Sequence, residues 1–385
     1  MIAVNLKFSV ERALQTINAN METFADRFPE NTTTGNWYPL RQPQSGFVEG
    51  DNYGWTTSFW SGMLWLAYEF TGEARYLQLG ERHIQNFAHR VENAIDLDTH
   101  DIGFLYTLAC VAPWRLTGDL AARQAALQAA EALMARYLAK IGIFQAWGGL
   151  DDPKMRGNTI IDSLMNMPLL YWATEQTGDP RFAAAAHYHS SQLRDQVVRP
   201  DNSTYHTFYW NPETGAPIGG STAQGHAGNS CWARGQAWAI YGFALSYRYT
   251  HDESLLVAAQ RCADYFLDHL PEDHVVYWDL VFGDDSGQPR DSSAAAIAVC
   301  GLQELAHWIP EDAQRQRYQS AAETILTSLV TNYAASLQSG SNALLLHSVY
   351  DMPKNIGVDE GCLWGDFFYM EALMRSIKPE WQLYW

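Results

Sequence analysis

Two aspartates and one arginine stand where their side chains can do chemistry. Asp162 lies in Gly157-Asn158-Thr159-Ile160-Ile161-Asp162-Ser163-Leu164-Met165-Asn166-Met167-Pro168, an apolar run that should be buried. Asn158 or Thr159 can cap a helix that follows, which puts Asp162 in its first turn, where free backbone N–H groups favour negative charge. Burial among Ile160, Ile161, Leu164 and Met165 acts the other way and raises the carboxyl pKa. Such a group can hold a proton near neutral pH; equally, it can be a structural aspartate that caps its helix. Asp101, in His100-Asp101-Ile102-Gly103-Phe104, offers the same two readings. Arg234, in Trp232-Ala233-Arg234-Gly235-Gln236-Ala237-Trp238, can receive a carboxylate in a bidentate fork, or can pair with an Asp or Glu of its own chain.

The elements that position these residues read as helices throughout. Apolar spacing and turn residues predict about twelve, at roughly 8–28, 56–70, 73–92, 101–116, 119–138, 159–176, 179–197, 232–249, 252–269, 291–308, 311–336 and 364–378. Connections alternate in length. Short ones such as Thr71-Gly72, Thr117-Gly118-Asp119, Thr177-Gly178-Asp179, Thr250-His251-Asp252 and Ile309-Pro310-Glu311 alternate with long ones at 29–55, 93–100, 139–158, 198–231, 270–290 and 337–363. Hairpins joined in this way put every short turn on one rim and every long loop on the other. Six outer-inner pairs imply an all-α fold, an (α/α)6 barrel or six-hairpin toroid, spanning residues 1–385 as a single domain. The inner helices should start at the long-loop rim. Their starts hold Trp55-Thr56-Thr57-Ser58, His100-Asp101, Asn158 to Asp162, Trp232 to Trp238, Arg290-Asp291-Ser292-Ser293 and Trp364-Gly365-Asp366. Capping suffices to explain any one of them; six on one rim, with Trp at three, call for more. The segment Thr204-Tyr205-His206-Thr207-Phe208-Tyr209-Trp210 alternates and precedes a turn, as a short hairpin laid over that rim would.

Composition narrows the function. Lys plus Arg number 25 against 43 Asp plus Glu, and the net charge of −18 argues against nucleic acid or an anionic membrane as partner. Met1 to Arg12 has no signal-peptide pattern and no run is long enough to span a membrane, so the expected compartment is the cytoplasm. Five cysteines without CxxC spacing fit buried thiols in a reducing setting. The 15 Trp and 20 Tyr fill a core, and such rings also stack on sugar faces. No phosphate loop, dinucleotide fingerprint, HExxH or GxSxG is present. His187 and His189 sit on an Ala-rich outer helix and read as packing, so no metal is expected. Two carboxylates on a shared aromatic-lined cavity point to a hydrolase acting on sugar.

The residues His100-Asp101-Ile102-Gly103-Phe104-Leu105-Tyr106, Gln145-Ala146-Trp147-Gly148, Ile160-Ile161-Asp162, Ser203 to Tyr209, Trp232 to Trp238, Arg290-Asp291-Ser292-Ser293 and Trp364-Gly365-Asp366 resemble those of the unsaturated glucuronyl hydrolases, glycoside hydrolase family 88. The resemblance runs from about residue 10 to the last residues. It implies an (α/α)6 barrel that cleaves a 4,5-unsaturated uronic acid from the non-reducing end of di- or oligosaccharides left by polysaccharide lyases, without a cofactor. It further implies Asp162 and Asp101 as catalytic residues, and Trp55, His100, Trp147, His206, Gln224, Trp232, Arg234 and Trp238 as sugar contacts. In the implied mechanism Asp162 protonates C4 of the vinyl ether, water adds at C5, and Asp101 holds ring hydroxyls and keeps the proton on its partner. Ala223 stands where the family often has His, and Thr56-Thr57-Ser58 lacks an acid common there; both bear on substrate preference.

Three rival readings share these residues. An unsaturated rhamnogalacturonyl hydrolase would run the same chemistry on pectin fragments. A sugar epimerase on a similar toroid would need a histidine pair, drawn from His206 and His100 or His226, and a third reading is a non-catalytic sugar binder. The loop from Tyr350 to Gly361, with Lys354 among Asp351, Asp359 and Glu360, is expected at the cavity mouth and to favour unsulfated over sulfated disaccharides. The protein is expected as a monomer or homodimer.

Overall fold

The short turns explain themselves chemically. At Thr117-Gly118-Asp119 the threonine hydroxyl donates to the carbonyl of Pro113 at 2.8 Å and accepts the Asp119 N–H at 3.3 Å. Gly118 takes the left-handed C-cap conformation at φ 72°, and the Asp119 carboxylate then caps the next helix by accepting from Ala122 N–H. Thr177-Gly178-Asp179 repeats the device, and at Thr250-His251-Asp252 a histidine with φ 52° takes the glycine's place.

The structure is a computed structural model that describes residues 5–153 and 155–385. In chain order it contains α1 (Leu6–Phe24), α2 (Thr57–Thr71), α3 (Ala74–Glu92), α4 (Ile102–Tyr106), α5 (Ala112–Thr117), α6 (Leu120–Met134), β1 (Tyr137–Leu138), β2 (Ile143–Phe144), β3 (Asn158–Ile160), α7 (Met167–Thr177), α8 (Pro180–Gln196), β4 (Thr207–Trp210), β5 (Pro217–Ser221), α9 (Ala233–Thr250), α10 (Glu253–Asp268), α11 (Ser292–Trp308), α12 (Asp312–Ser328), β6 (Ser348–Asp351), β7 (Ile356–Glu360) and α13 (Leu363–Ile377). The inner ring runs α2, α4–α5, α7, α9, α11 and α13, and closes because α13 packs against α2. The outer helices α3, α6, α8, α10, α12 and α1 pair with them, which makes the expected (α/α)6 barrel. Inner helices are buried almost all round, whereas outer helices bury one face, as their charge contrast requires. The axis is filled by aromatic rings. Trp385 stacks on Phe368 with centroids 5.8 Å apart at 11°, and Phe104 joins this cluster to Trp55 and Trp238.

The structure departs from the sequence reading in several local places. Asn158 and Thr159 do not cap a helix: they belong to β3, which pairs with β4 in a three-stranded sheet ordered β3-β4-β5. Ile160 takes the cap position, and residues Ile161–Asn166 form a 3-10 turn, with Asp162 in its first turn as expected. The hairpin β4–β5 does lie over the rim. The helix expected at 101–116 contains a π-helical turn at Thr107–Val111, and the one at 311–336 ends in another at Leu329–Tyr333. Residues 1–4 of the expected domain lie outside the described residues, of which none forms a helix long and apolar enough to cross a membrane.

Candidate active site

The two rims of the toroid treat their helix starts differently. On the short-turn rim Asp119, Asp179 and Asp252 cap with their side chains and Glu73 and Glu311 do not, whereas on the long-loop rim Asp291 alone among the six inner starts does so. Thr56, Asp101, Ile160, Trp232 and Cys362 make no side-chain cap bond. Asp101 occupies a cap position without capping, which leaves its carboxylate free for other work.

That carboxylate meets the second one. Gly103 makes the approach possible: a Cβ there would lie 2.3 Å from the Asn166 Cα, so only glycine lets the start of α4 touch the 3-10 turn. The Asn166 Oδ1 accepts the Phe104 N–H at 2.8 Å and locks the two starts together. The ring of His100 lies beneath both acids, its Nε2 3.4 Å from Asp101 Oδ1 and 3.6 Å from Asp162 Oδ1. Burial, and then the charge of Arg136, lower the His100 pKa to about 3, so the imidazole is neutral. Neither ring nitrogen makes a hydrogen bond among the described residues, so the ring stands against the two acids as a neutral neighbour.

The electrostatics of the pair are unequal. Burial pushes Asp101 up to about 6, opposed by hydrogen bonds from Thr99 and Asn166 and by the charges of Arg136 and Arg90. Burial raises Asp162 well above the carboxylate range; the Asp101 charge adds to the effect, and the Arg234 charge opposes it. At neutral pH the first proton therefore leaves Asp101 and the second stays on Asp162.

A cavity of about 270 Å³ opens above the pair. Asp101, Asp162, Trp55, Trp147, His206, Gln224, Trp232, Arg234 and Trp238 all line it, so nine of the ten residues singled out from the sequence meet in one place. The tenth, His100, is buried behind the carboxylates at 1% exposure and touches the cavity only through them. His206 Nδ1 accepts from the Ala223 and Gln224 N–H groups at 3.1 and 3.2 Å, and burial with the charges of Arg234 and Lys354 holds its pKa near 3. Its Nε2 therefore carries the proton. The ring packs on Trp232 at 4.1 Å.

Arg234 differs from the expectation of an open fork. Its Nη1 donates to Asp291 Oδ2 at 2.9 Å and to the Val349 carbonyl at 2.5 Å, and its Nη2 to Gln224 Oε1 and the Tyr350 carbonyl, each at 2.8 Å. The ion pair with its own chain is the reading that holds. Because Arg234 takes Gln224 Oε1, the amide nitrogen of Gln224 is the end left for a ligand. Asp366, on the same rim, is likewise structural: it accepts from Leu345 N–H and Tyr38 Oη, and burial raises it to about 7.

Tyr350 and Lys354 also line the cavity, and Tyr350 Oη accepts the Trp55 indole N–H at 3.1 Å. Both lie in the last long loop, as its length suggested; their side-chain partners were not readable locally. Lys354 Nζ pairs with Asp351 Oδ2 at 2.7 Å. His189 packs as expected, between Phe144 N–H and Ser163 Oγ, and no cluster of metal-ligand type occurs among the described residues.

Comparison with known proteins agrees with this geometry. The model of Glycosyl Hydrolase Family 88 matches residues 20–372. The unsaturated chondroitin disaccharide hydrolase of Streptococcus agalactiae serotype III (strain NEM316) is 44% identical over 383 residues, covering 99% of this chain and 94% of that one. The unsaturated glucuronyl hydrolase of Bacillus sp. (strain GL1) is 45% identical over 357 residues, covering 92% of each. The crystal structure of unsaturated glucuronyl hydrolase from Streptococcus agalactiae superposes with a TM-score of 0.94 at 44% identity, covering 99% of this chain and 93% of that chain.

Proposed function

Because the chain belongs to glycosyl hydrolase family 88, we propose that the cavity between Asp101 and Asp162 is where it works on its substrate. The protein is a glycoside hydrolase of the unsaturated glucuronyl type, releasing a 4,5-unsaturated uronic acid from the non-reducing end of lyase-generated oligosaccharides. Its relatives are named for glucuronyl and chondroitin units, which favours that reading over pectin fragments.

The assignment of roles rests on one observation: two partly buried carboxylates set against one histidine ring and facing one cavity, with burial and the Asp101 charge both favouring the protonated form of Asp162. Asp162 delivers that proton to C4 of the vinyl ether, and the resulting cation at C5 is captured by water, whose proton returns to Asp162. The hemiketal at C5 then opens and releases the neighbouring sugar. Asp101, ionised, accepts ring hydroxyls and holds the proton on its partner by its charge. The separation rule for retaining and inverting glycosidases does not apply, because no displacement at the anomeric carbon occurs. Trp55, Trp147, Trp232 and Trp238 present ring faces and edges to the sugar, and His206 Nε2–H and the Gln224 amide supply donors. With its fork committed, Arg234 helps the uronate through its charge and by orienting Gln224.

The epimerase reading loses its histidine pair, since His226 is not among the residues that line the cavity. Burial holds both His100 and His206 near pKa 3, far below what proton transfer across a sugar carbon needs. We place the enzyme in the cytoplasm, as a monomer or homodimer of one catalytic domain without nucleic acid or membrane partners. Five free, buried cysteines and a net charge of −18 support that placement. The test is direct: mixing the protein with an unsaturated glucuronyl disaccharide should erase the ultraviolet band of the conjugated double bond, and a stable band with bound sugar would leave only a binder.

A further inference from the structure

The proton's place on Asp162 needs a physical cause, since the two acids share one buried pocket and one histidine. Their hydrogen-bond partners supply it. Thr99 Oγ1 accepts the Asp101 N–H at 3.1 Å, which turns the hydroxyl proton outward, and donates it to Asp101 Oδ2 at 2.8 Å. The Asn166 amide, fixed in orientation because its Oδ1 takes the Phe104 N–H, donates to the Asp162 carbonyl at 3.5 Å and lies close enough to favour the ionised form of Asp101 as well. Among the described residues Asp162 receives no side-chain donor of this kind: its Oδ1 is buried without a partner, and help for its ionised form comes from the N–H groups of Asp162 and Ser163.

We propose that Thr99 is a positioning residue that decides which of the two carboxylates keeps the shared proton, by committing its hydroxyl to Asp101 and leaving Asp162 as the acid. The proposal rests on the reading of Asp162 as proton donor and explains why the pair is not interchangeable. Donors stabilise a carboxylate and gain nothing from a carboxylic acid oxygen already protonated, so an unshared hydroxyl on one side breaks the symmetry. At Asp101 the hydrogen bonds outweigh the neighbouring charges. Arg90 and Arg136 face Asp101, Arg234 faces Asp162, neutral His100 faces both, and the Tyr350 phenol stays protonated. Thr99 is also well placed to act without being seen by substrate. It does not line the cavity, and its backbone pairs with Trp147, which does.

Thr99→Val keeps the β-branched shape and removes the hydroxyl. The measurement is kcat/KM against pH, followed by loss of the double-bond absorbance, for the parent, Thr99→Val and Thr99→Ser. Without the donor Asp101 binds its proton more tightly, so the acidic limb of the Thr99→Val profile should move up by about one pH unit. Its maximum should fall about tenfold as the shared proton spends time on Asp101. Thr99→Ser should restore the parent's limbs. A Thr99→Val profile whose acidic limb superposes on the parent's, whatever its height, overturns the proposal, since a merely structural role lowers amplitude without moving a limb. If the valine variant does not fold, Thr99→Ala is read in the same way. Asp162→Asn, assayed alongside, separates the two claims: activity retained there defeats the acid assignment itself, whereas activity lost there with unmoved limbs in Thr99→Val defeats the role of Thr99 alone.

Discussion

Arg234 and Asp291 form an ion pair of 2.9 Å in which neither side chain is more than 1% exposed. Asp291 also caps α11 by accepting from Ser293 and Ala294 N–H, so one carboxylate ties the start of α11 to the guanidinium in the cavity wall. Arg234→Ala strands that charge, and a buried charge without a partner costs about 3–5 kcal/mol. The expected result is a large fall in unfolding free energy together with lost turnover. Arg234→Lys should recover part of the stability but little activity, because an ammonium cannot hold Asp291, two carbonyls and Gln224 in one plane. Denaturant titration beside kinetics checks this, and a fully active lysine variant would remove the argument.

Asp162→Asn keeps shape and polarity but has no acidic proton. Turnover should fall by a factor of about 10² or more while the thermal midpoint and sugar binding stay near the parent's. Asp101→Asn should also be severe. Calorimetric binding of an unsaturated disaccharide to the Asp162→Asn protein, measured with its residual rate, separates chemistry from binding.

The pH profile follows from the pair. Activity needs Asp101 ionised and Asp162 protonated, so kcat/KM should fall as pH drops through about 6, where Asp101 takes up its proton. It should fall again on the alkaline side as Asp162 loses its own, whose pKa burial and the Asp101 charge both raise. In Asp101→Asn the acidic limb should vanish and the alkaline limb move down, since the neighbouring charge is gone. An alkaline limb that stays put in that variant would show that the two acids are not coupled.

Substrate charge is read at the mouth. Lys354 is 66% exposed at its side chain, and its ammonium already pairs with Asp351. With that charge balanced, a sulfate on the leaving sugar finds no free lysine among the described residues that line the cavity, and matched disaccharides should show higher kcat/KM without sulfate than with it. A preference for the sulfated member would mean that Lys354 leaves Asp351 to meet it, and Lys354→Ser would then abolish the preference.

Stability should carry its own pH signature through Asp366. Its folded pKa of about 7 lies above the ordinary value near 3.9, so between these the folded state holds a proton that the unfolded chain has lost. Stability from this group is therefore lost as pH rises through that window. Asp366→Asn does not titrate, and its thermal midpoint relative to the parent should rise from pH 5 to pH 8, on the order of 1–2 °C for each 1 kcal/mol. A difference that stays constant with pH would place the proton elsewhere.

What could be read without coordinates was what depends on near neighbours. Thr-Gly-Asp turns and apolar spacing marked the helices to within a few residues because caps are local chemistry. Asn158 and Thr159 read locally as caps because their strand partner, Thr207 to Tyr209, lies far along the chain. Arg234 admits two readings from sequence for the same reason: its partners Asp291 and Val349 are 57 and 115 residues away. Thr99, two residues from Asp101, was near enough to notice, but nothing in a threonine before His-Asp announces which way its hydroxyl turns.

The uneven capping of the two rims divides labour between them. One end of the toroid carries the bonds that start and stop helices, and it could be hardened by better turns without reaching the chemistry. The other end leaves five of its six inner helix starts without a side-chain cap, so long loops can be exchanged there without unravelling the ring beneath. A scaffold so built can drift in diet while keeping its frame: changes of glycan should accumulate in the long loops, and the Thr-Gly-Asp turns should change for stability alone.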